Sequence, residues 1–177
     1  MHRPQPEPDA MADEFAALLA QLKEPDQPQT LFKIIDRATK ALVGHRLFTI
    51  LLVDSDQVER LYSNRPDEEP VGGRKPMGST PWGELVLKRR EPFLGTDMEA
   101  IRWAFSNHES IKARGMGSVI NIPIVYDAET IGTMNLLDAE HHYKPDDVPK
   151  VHCLAPLLIP AILTVRSNGQ TLNIHPS

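Results

Sequence analysis

The sequence contains almost no cysteine, the residue that cross-links a fold or binds a metal through sulfur. Its 177 residues include one cysteine, Cys153, so no disulfide forms within the chain and an all-cysteine metal site is excluded. Hydrophobic residues make up 41% and charged residues 24%, which is typical of a globular protein rather than a disordered one. The length allows one domain with a sizeable core and is too short for two ordinary domains.

Strong charge and long apolar runs are also lacking. The formal net charge of −5 argues against a nucleic-acid-binding surface, where a basic face is usual. The N-terminal segment has no apolar core, which argues against a signal peptide or a membrane anchor. The longest apolar run, residues 154–165, contains two prolines and is too short to span a bilayer. We therefore expect a cytoplasmic protein that binds neither nucleic acid nor a membrane.

The familiar catalytic motifs are absent as well. The chain contains no Gly-x-Ser-x-Gly elbow, no P-loop, no His-Glu-x-x-His and no Rossmann glycine fingerprint. The pairs His141-His142 and His152-Cys153 lack zinc-ligand spacing, and adjacent side chains point in different directions. We expect no enzymatic activity, no metal and no cofactor, with a small-molecule enzyme of unrecognised type as a minor alternative.

Hydrophobic periodicity predicts helices at both ends of the chain. One apolar stripe, which predicts the first helix, consists of Phe15, Leu18, Leu19 and Leu22. Residues 25–28 end this helix, and a second one over residues 31–42 stops at Gly44. The periodicity of residues 145–165 is again helical, but Pro156 and Pro160 predict a kink there.

Between these helices the pattern predicts an antiparallel sheet. Residues 47–53 and 57–63 form one hairpin, and a long loop, residues 64–78, follows it. Short helices are expected after Thr80-Pro81 and, beyond a short strand at Phe93-Leu94, over residues 96–113, where Thr96 and Glu99 form a capping box. We divide the chain into a disordered tail (1–9), a single α+β domain (10–166) and a flexible tail (167–177).

Residues 117–138 are predicted to form a second hairpin that contains two buried asparagines. With a loop at residues 127–129, Asn121 faces Asn135 and Pro123 faces Thr133, all on one face of the sheet. A slip of one residue would move these side chains to the other face. Because a buried amide requires a partner, the two asparagines are the first candidates for ligand contacts.

This hairpin resembles part of a GAF domain, the small α/β sensor module of phosphodiesterases, phytochromes and many bacterial regulators. The resemblance rests on Gly117-Ser118 leading into Ile122-Pro123-Ile124, and on Ile131-Gly132 opening a strand that continues through Leu136-Leu137. Tyr143 and Asp147 match the aromatic and acidic residues that precede the last helix of the family. The resemblance covers residues 29–165.

The resemblance implies a twisted, six-stranded antiparallel sheet with the terminal helices on one face. A ligand pocket is expected on the other face, beneath short helices and loops. The implied function is to bind a small molecule, or to pair with another GAF domain, and to transmit this signal to an output domain. We expect this chain to act without a fused output domain.

The same comparison disfavours three known GAF chemistries. Cyclic-nucleotide-binding members carry an Asn-Lys pair where this chain has Leu137 and Asp138. Of the motif that follows, only one aromatic residue, Tyr143, and one acid, Asp147, are present. Bilin-binding members and free methionine sulfoxide reductases use cysteines near the pocket, whereas Cys153 belongs to the terminal helix.

Seven residues are candidates for ligand contacts on the pocket face. Asn121, Thr133 and Asn135 would form a polar floor, Ser118 would lie at the strand entrance, and three aromatic side chains would enclose the ligand, namely Trp82, Phe93 and Trp103. Structural alternatives stay open: the amides bond each other, Ser118 is a turn residue, and the aromatic residues and His108 belong to the core. Arg74-Lys75 is either a contact for an anionic ligand or a solvated part of the loop.

The leading functional hypothesis is therefore a sensor that binds a small flat or polar molecule, which orders residues 64–78. The alternative is a protein-interaction module without a ligand, in which the terminal helices pair in a homodimer. The contact would be the apolar stripe of the first helix.

Overall fold

The computed structural model describes residues 8–77 and 79–171. Helix α1 (Pro8–Ala20) passes into a 3-10 turn (Gln21–Lys23), and helix α2 (Gln29–Leu42) follows. The first helix begins inside the segment predicted to be a disordered tail, and residues 1–7 of that tail lie outside the described residues. Likewise, the last helix continues to Thr171, and residues 172–177 of the predicted C-terminal tail lie outside the described part.

A six-stranded antiparallel sheet forms the centre of the fold, in the order β3-β2-β1-β6-β5-β4. Its strands are β1 (Leu47–Asp54), β2 (Gln57–Ser63), β3 (Arg74–Pro76), β4 (Phe93–Gly95), β5 (Ser118–Tyr126) and β6 (Glu129–Asp138). The longest strands, β5 and β6, lie inside the sheet and are buried along most of their length. The predicted α+β class with about six strands is confirmed.

The helical segments between and after the strands are short. They are a π-helical turn (Gly83–Lys88), α3 (Met98–Ala104), α4 (His108–Ala113), α5 (Asp147–His152), a 3-10 turn (Ala155–Leu158) and α6 (Ile159–Thr171). Two of them differ from the prediction in ways that affect the site and the core.

The single helix predicted over residues 96–113 is two helices. Phe105 adopts an extended backbone (φ −131°, ψ 126°), which ends α3 before α4 begins. The predicted capping box is also wrong, because Asp97, not Thr96, caps α3: its side chain accepts a hydrogen bond from the Ala100 amide at 2.9 Å. The Thr96 carbonyl instead accepts a hydrogen bond from the His141 amide, which joins this segment to the end of β6.

The predicted kinked helix near the C-terminus is interrupted rather than bent. Pro156 has no amide hydrogen to donate to the preceding turn, and the chain takes a 3-10 turn there between α5 and α6. The stretch Asp147–Gly169 is nevertheless long and apolar enough to cross a membrane, by length and composition alone. Val151, Leu158 and Ile162 in this stretch are fully buried against the sheet, so its apolar face packs in the core.

The two faces of the sheet have different partners. The main core packs α2, α5 and α6 against one face, which presents residues such as Phe48, Ile50 and Ile122. A smaller core on the opposite face joins Val119 and Leu137 to Ile101 and other residues of α3 and α4. Side chains alternate between the faces along each strand, so every second residue of β1, β5 and β6 faces the second, thinner layer.

A buried tyrosine ties the chain before α5 to the end of α2. The Tyr143 hydroxyl donates a hydrogen bond to the Gly44 carbonyl at 3.0 Å, and only 1% of the residue is exposed. Burial raises the pKa of Tyr143 well above its ordinary value, and the nearby Asp138 and Asp147 raise it further. The side chain therefore stays neutral and keeps this bond throughout the physiological pH range.

Gly132 allows β6 to approach both β1 and α6 closely. A Cβ atom there would lie 2.5 Å from the Leu51 carbonyl oxygen and 2.7 Å from the Ile162 Cδ1 atom. We expect Gly132→Ala to lower the free energy of unfolding by about 1–3 kcal/mol, because the backbone of a central strand must shift. Urea denaturation measures this loss.

Gly169→Ala is the matched control, since nothing lies within 4 Å of a Cβ atom at that position on α6. We expect it to leave stability unchanged or to raise it by up to about 1 kcal/mol. Equal stability of the two variants would contradict the close approach at Gly132.

Candidate functional site

The register of the β5–β6 hairpin places both asparagines on the face opposite the main core. Asn121 pairs with Asn135 and Pro123 pairs with Thr133, as predicted. The predicted loop of residues 127–129 is wrong: the turn consists of Asp127 and Ala128 alone, both with positive φ. An extra residue in β6, Ile131, forms a bulge that restores the predicted register.

A chain of hydrogen bonds runs across this face. The Trp82 indole Nε1 donates to Asn121 Oδ1 at 2.9 Å, and Asn121 Nδ2 donates to Asn135 Oδ1 at 2.7 Å. Asn135 Nδ2 in turn donates to Thr133 Oγ1 at 3.1 Å and to Thr49 Oγ1 at 3.3 Å. The amides therefore have partners within the protein, which is the structural alternative considered for them, and they form a fixed polar floor.

Trp82 reaches this floor from the layer above. The Thr80 hydroxyl accepts a hydrogen bond from the Gly83 amide at 3.0 Å, which fixes the start of the helical turn predicted at Thr80-Pro81. The indole ring lies 6.1 Å from the Phe105 ring, between centroids. Phe105 is the residue at which α3 ends, so the interruption of the predicted helix directs an aromatic side chain toward the site.

A cavity of about 320 Å³ lies between this floor and the overlying layer. Most of its wall is apolar and is formed by side chains from the sheet, the helical turn, the α3–α4 connection and α4, including Leu47, Leu51, Leu87, Phe105 and Ile111. This volume is at the lower end of the range usual for small-molecule sites. Asn121, Asn135, Thr49 and Trp82 line it as well, so the hydrogen-bonded chain forms part of its surface.

One end of the cavity is charged. Arg60 of β2 and Arg114, just beyond α4, both bind the carboxylate of Glu69, which belongs to the loop after β2. The Arg114 Nη1 atom lies 2.9 Å from Glu69 Oε1. Arg60 also donates from Nη1 to the Pro70 carbonyl at 3.0 Å. All three charged side chains are less than 20% exposed, so solvent screens their interactions only in part.

The structure separates the aromatic residues that were predicted to enclose one cavity. Trp82 lines the cavity, whereas Trp103 and Phe93 lie outside it and stack on each other, with 5.2 Å between their ring centroids. Trp103 is 46% exposed and borders a shallow surface depression with Phe93. The prediction that both indoles wall the same cavity is wrong, because α3 is short and turns Trp103 toward solvent.

Ser118 has a structural partner. Its hydroxyl donates to the Ala139 carbonyl at 2.7 Å, and the residue is fully buried at the start of β5. Thr133 is also fully buried and contacts the site through Asn135. His108 is partly buried at the start of α4. It is not one of the described residues that line the cavity.

The sequence reasoning missed the charged end of the cavity and Thr49. Arg60 occupies an inward position of β2 because it pairs with Leu51, which also lines the cavity. A bulge at Leu61 separates Arg60 from Tyr62, which packs against Phe32 and Phe48 on the opposite face, so simple alternation along β2 does not describe this strand. Nothing in the local pattern indicated Glu69 or Arg114, which meet Arg60 only in the folded chain. Of the Arg74-Lys75 pair, Arg74 binds Glu59, whereas Lys75 lines the cavity.

Comparison with known proteins agrees with this architecture. A family model described as a GAF domain matches residues 24–155, more than half of the chain. The chain belongs to the GAF domain family. Members of this family are sensor and regulatory domains and are typically soluble. The comparison with curated proteins gives no match.

Solved GAF structures share the fold. The GAF domain of a phosphoenolpyruvate-protein phosphotransferase from Coxiella burnetii matches with a TM-score of 0.72 at 20% identity, covering 90% of this chain and 96% of that one. The GAF domain of a sensor histidine kinase from Bacillus halodurans matches with a TM-score of 0.66 at 15% identity, covering 81% and 98%. The chromophore-binding domain of a bacteriophytochrome from R. palustris matches with a TM-score of 0.64 at 14% identity, covering 94% and 66%.

The hydrogen-bonded floor predicts the effect of removing one amide. Asn121→Leu leaves the Trp82 indole and Asn135 Oδ1 without their partners in a buried place. We expect it to lower the free energy of unfolding by about 1–3 kcal/mol, as measured by urea denaturation. Asn168→Leu makes the same chemical change at an exposed position on α6 and should alter stability by less than about 0.5 kcal/mol. A stabilising Asn121→Leu would show that the floor opposes folding.

Proposed function

We propose that this GAF domain is a sensor that binds a small molecule in the cavity above Asn121 and Asn135. The observation that supports the proposal most directly is the cavity itself, about 320 Å³ with an apolar wall and a fixed polar floor. A flat ligand would lie against Trp82 and Phe105.

The loop after β2 is the element through which binding would change the shape of the protein. Glu69 and Pro70 in this loop contact Arg60 and Arg114 at the cavity wall. The Gly72 amide also donates to the Arg60 carbonyl and the Arg60 amide donates to the Gly73 carbonyl, so one strand residue contacts four residues of the loop. A ligand that moves Arg60 therefore alters the position of the loop on the surface. We propose that this response takes place in the cytoplasm.

The two tryptophans provide a direct test of binding. In Trp103→Phe the only remaining indole is Trp82, which lines the cavity and donates to Asn121. A metabolite that enters the cavity should change the emission of this variant and raise the melting temperature of the protein. We expect a shift in both measurements with the same compound and the same midpoint concentration.

Trp82→Phe is the matched control, because it retains the exposed Trp103 outside the cavity. Its emission should stay constant when the same compound is added. If compounds change the emission of Trp103 and not that of Trp82, the cavity is not the binding site. If a broad metabolite panel changes neither the emission nor the melting temperature, ligand binding is contradicted.

A homodimer through α1 is a second candidate function, and the exposure of the apolar stripe favours it. Phe15, Leu19 and Leu22 are 40%, 41% and 38% exposed. Leu18 of the same stripe packs against the main core, whereas the three other side chains of the stripe are exposed to solvent. A second copy of the chain would bury these side chains by pairing helix with helix.

The dimer predicts that charge on the stripe separates the chains. We expect wild-type protein to have twice the mass of one chain in light scattering, and Phe15→Glu with Leu19→Glu to have the monomer mass. Ala17→Glu with Ala20→Glu adds the same charge to the opposite side of α1 and should remain dimeric. An unchanged mass in the stripe variant would exclude pairing through α1.

A further inference from the structure

We infer that the ligand is a small organic anion, and that Glu69 occupies its anion site when the cavity is empty. The inference rests on the proposed ligand-binding function and names the chemical class of the ligand. Its basis is the charged end of the cavity, where two arginines from distant parts of the chain converge on one carboxylate.

The arrangement of this carboxylate matches that of a bound anion. Arg60 Nη2 binds Glu69 Oε2, and Arg114 Nη1 binds Glu69 Oε1 at 2.9 Å, so each guanidinium holds a different oxygen. Guanidinium groups favour carboxylate and phosphate oxygens in this way. The Arg60 Nε atom is buried and has no hydrogen-bond partner among the described residues, so the site has donor capacity that Glu69 does not use.

The charge around this site is not balanced by Glu69 alone. Among the described residues, the cavity wall includes three cationic groups, Arg60, Lys75 and Arg114, and one anionic group, Glu69. The Lys75 side chain is exposed and has no ion pair or hydrogen bond among the described residues. Glu68 lies 3.7 Å from Arg114, but it is 40% exposed and also binds Arg65 at 3.1 Å. The cavity therefore presents a positive end to a ligand.

The rest of the cavity defines the remainder of the ligand. Away from the charged end the wall is apolar and includes the aromatic side chains of Trp82 and Phe105. A molecule that fits both regions has a compact apolar or aromatic body and one carboxylate or phosphate group. A free inorganic anion would satisfy the arginines and leave the apolar wall uncovered.

Replacement of the Glu69 carboxylate by the anionic group of the ligand would couple ligand binding to the loop after β2. When the anion of the ligand binds Arg60 and Arg114, the Glu69 side chain loses both partners and moves toward solvent. The loop therefore loses the two ion pairs of Glu69, whereas the bonds of Arg60 to Pro70, Gly72 and Gly73 keep the following residues in place, so the change is confined to the part of the loop around Glu69. Ligand occupancy is in this way converted into a change in the surface next to β3.

Isothermal titration with matched probes tests the inference. The probes are benzoate and phenyl phosphate as anions with an aromatic body, benzamide as the neutral analogue of benzoate, and inorganic phosphate as an anion without an apolar body. We expect the two aromatic anions to bind at least about tenfold more tightly than benzamide and inorganic phosphate. Glu69→Gln removes the internal competitor and should tighten the binding of the aromatic anions by about tenfold, with benzamide unchanged.

Lys75→Gln provides a second variant at an exposed position that does not depend on the stability of the arginine cluster. It should weaken the aromatic anions by about threefold and leave benzamide unchanged. Benzamide affinity equal to that of benzoate, with no effect of either variant, would overturn the inference and leave ligand binding intact. The inference would also be overturned if only neutral metabolites changed the Trp82 emission of the Trp103→Phe variant. Failure of every probe and every metabolite would overturn the proposed function as well.

Discussion

The pairing of β5 with β6 is the constraint on which the rest of the site depends. This register places Asn121 beside Asn135 and sends Ile120, Ile122 and Met134 to the opposite face, where they form the main core. A shift of one residue would exchange the two sets of side chains. It would bury the amides under α6 and turn the isoleucines toward the cavity, so the core and the site are determined by the same strand pairing.

Two kinds of polar group line the cavity, and they differ in how much freedom they retain. The amides of Asn121 and Asn135 are fully buried in the sheet and bond to their neighbours, which makes them part of the framework. Arg60 and Arg114 hold a carboxylate from a loop, which can be exchanged without disturbing the sheet. The amides are thus part of the sheet framework, whereas the arginines connect the sheet and the end of α4 to a surface loop.

The sequence predicted the fold and part of the site. The two hairpins, the pairing of Asn121 with Asn135 and the helix start before Trp82 followed from local patterns, because alternation, turn residues and helix starts are local properties. Strand β3 did not follow, because it lies in the segment that was predicted to be a loop. The positions of Trp103 and Glu69 did not follow. Trp103 depends on where α3 ends, at an extended Phe105 that no strong breaker marks, and Glu69 acquires its role only through contacts with residues far along the chain.

The bulge at Ile131 has a consequence for how this hairpin tolerates changes in length. A two-residue turn with a bulge and a three-residue loop without one lead to the same pairing of Asn121 with Asn135. Adding a residue between Asp127 and Ala128 while deleting Ile131 would keep that pairing, but it would remove a side chain that is buried in the main core. The bulge therefore couples the length of the hairpin turn to the packing under the sheet, so a change in the turn is also a change in the core.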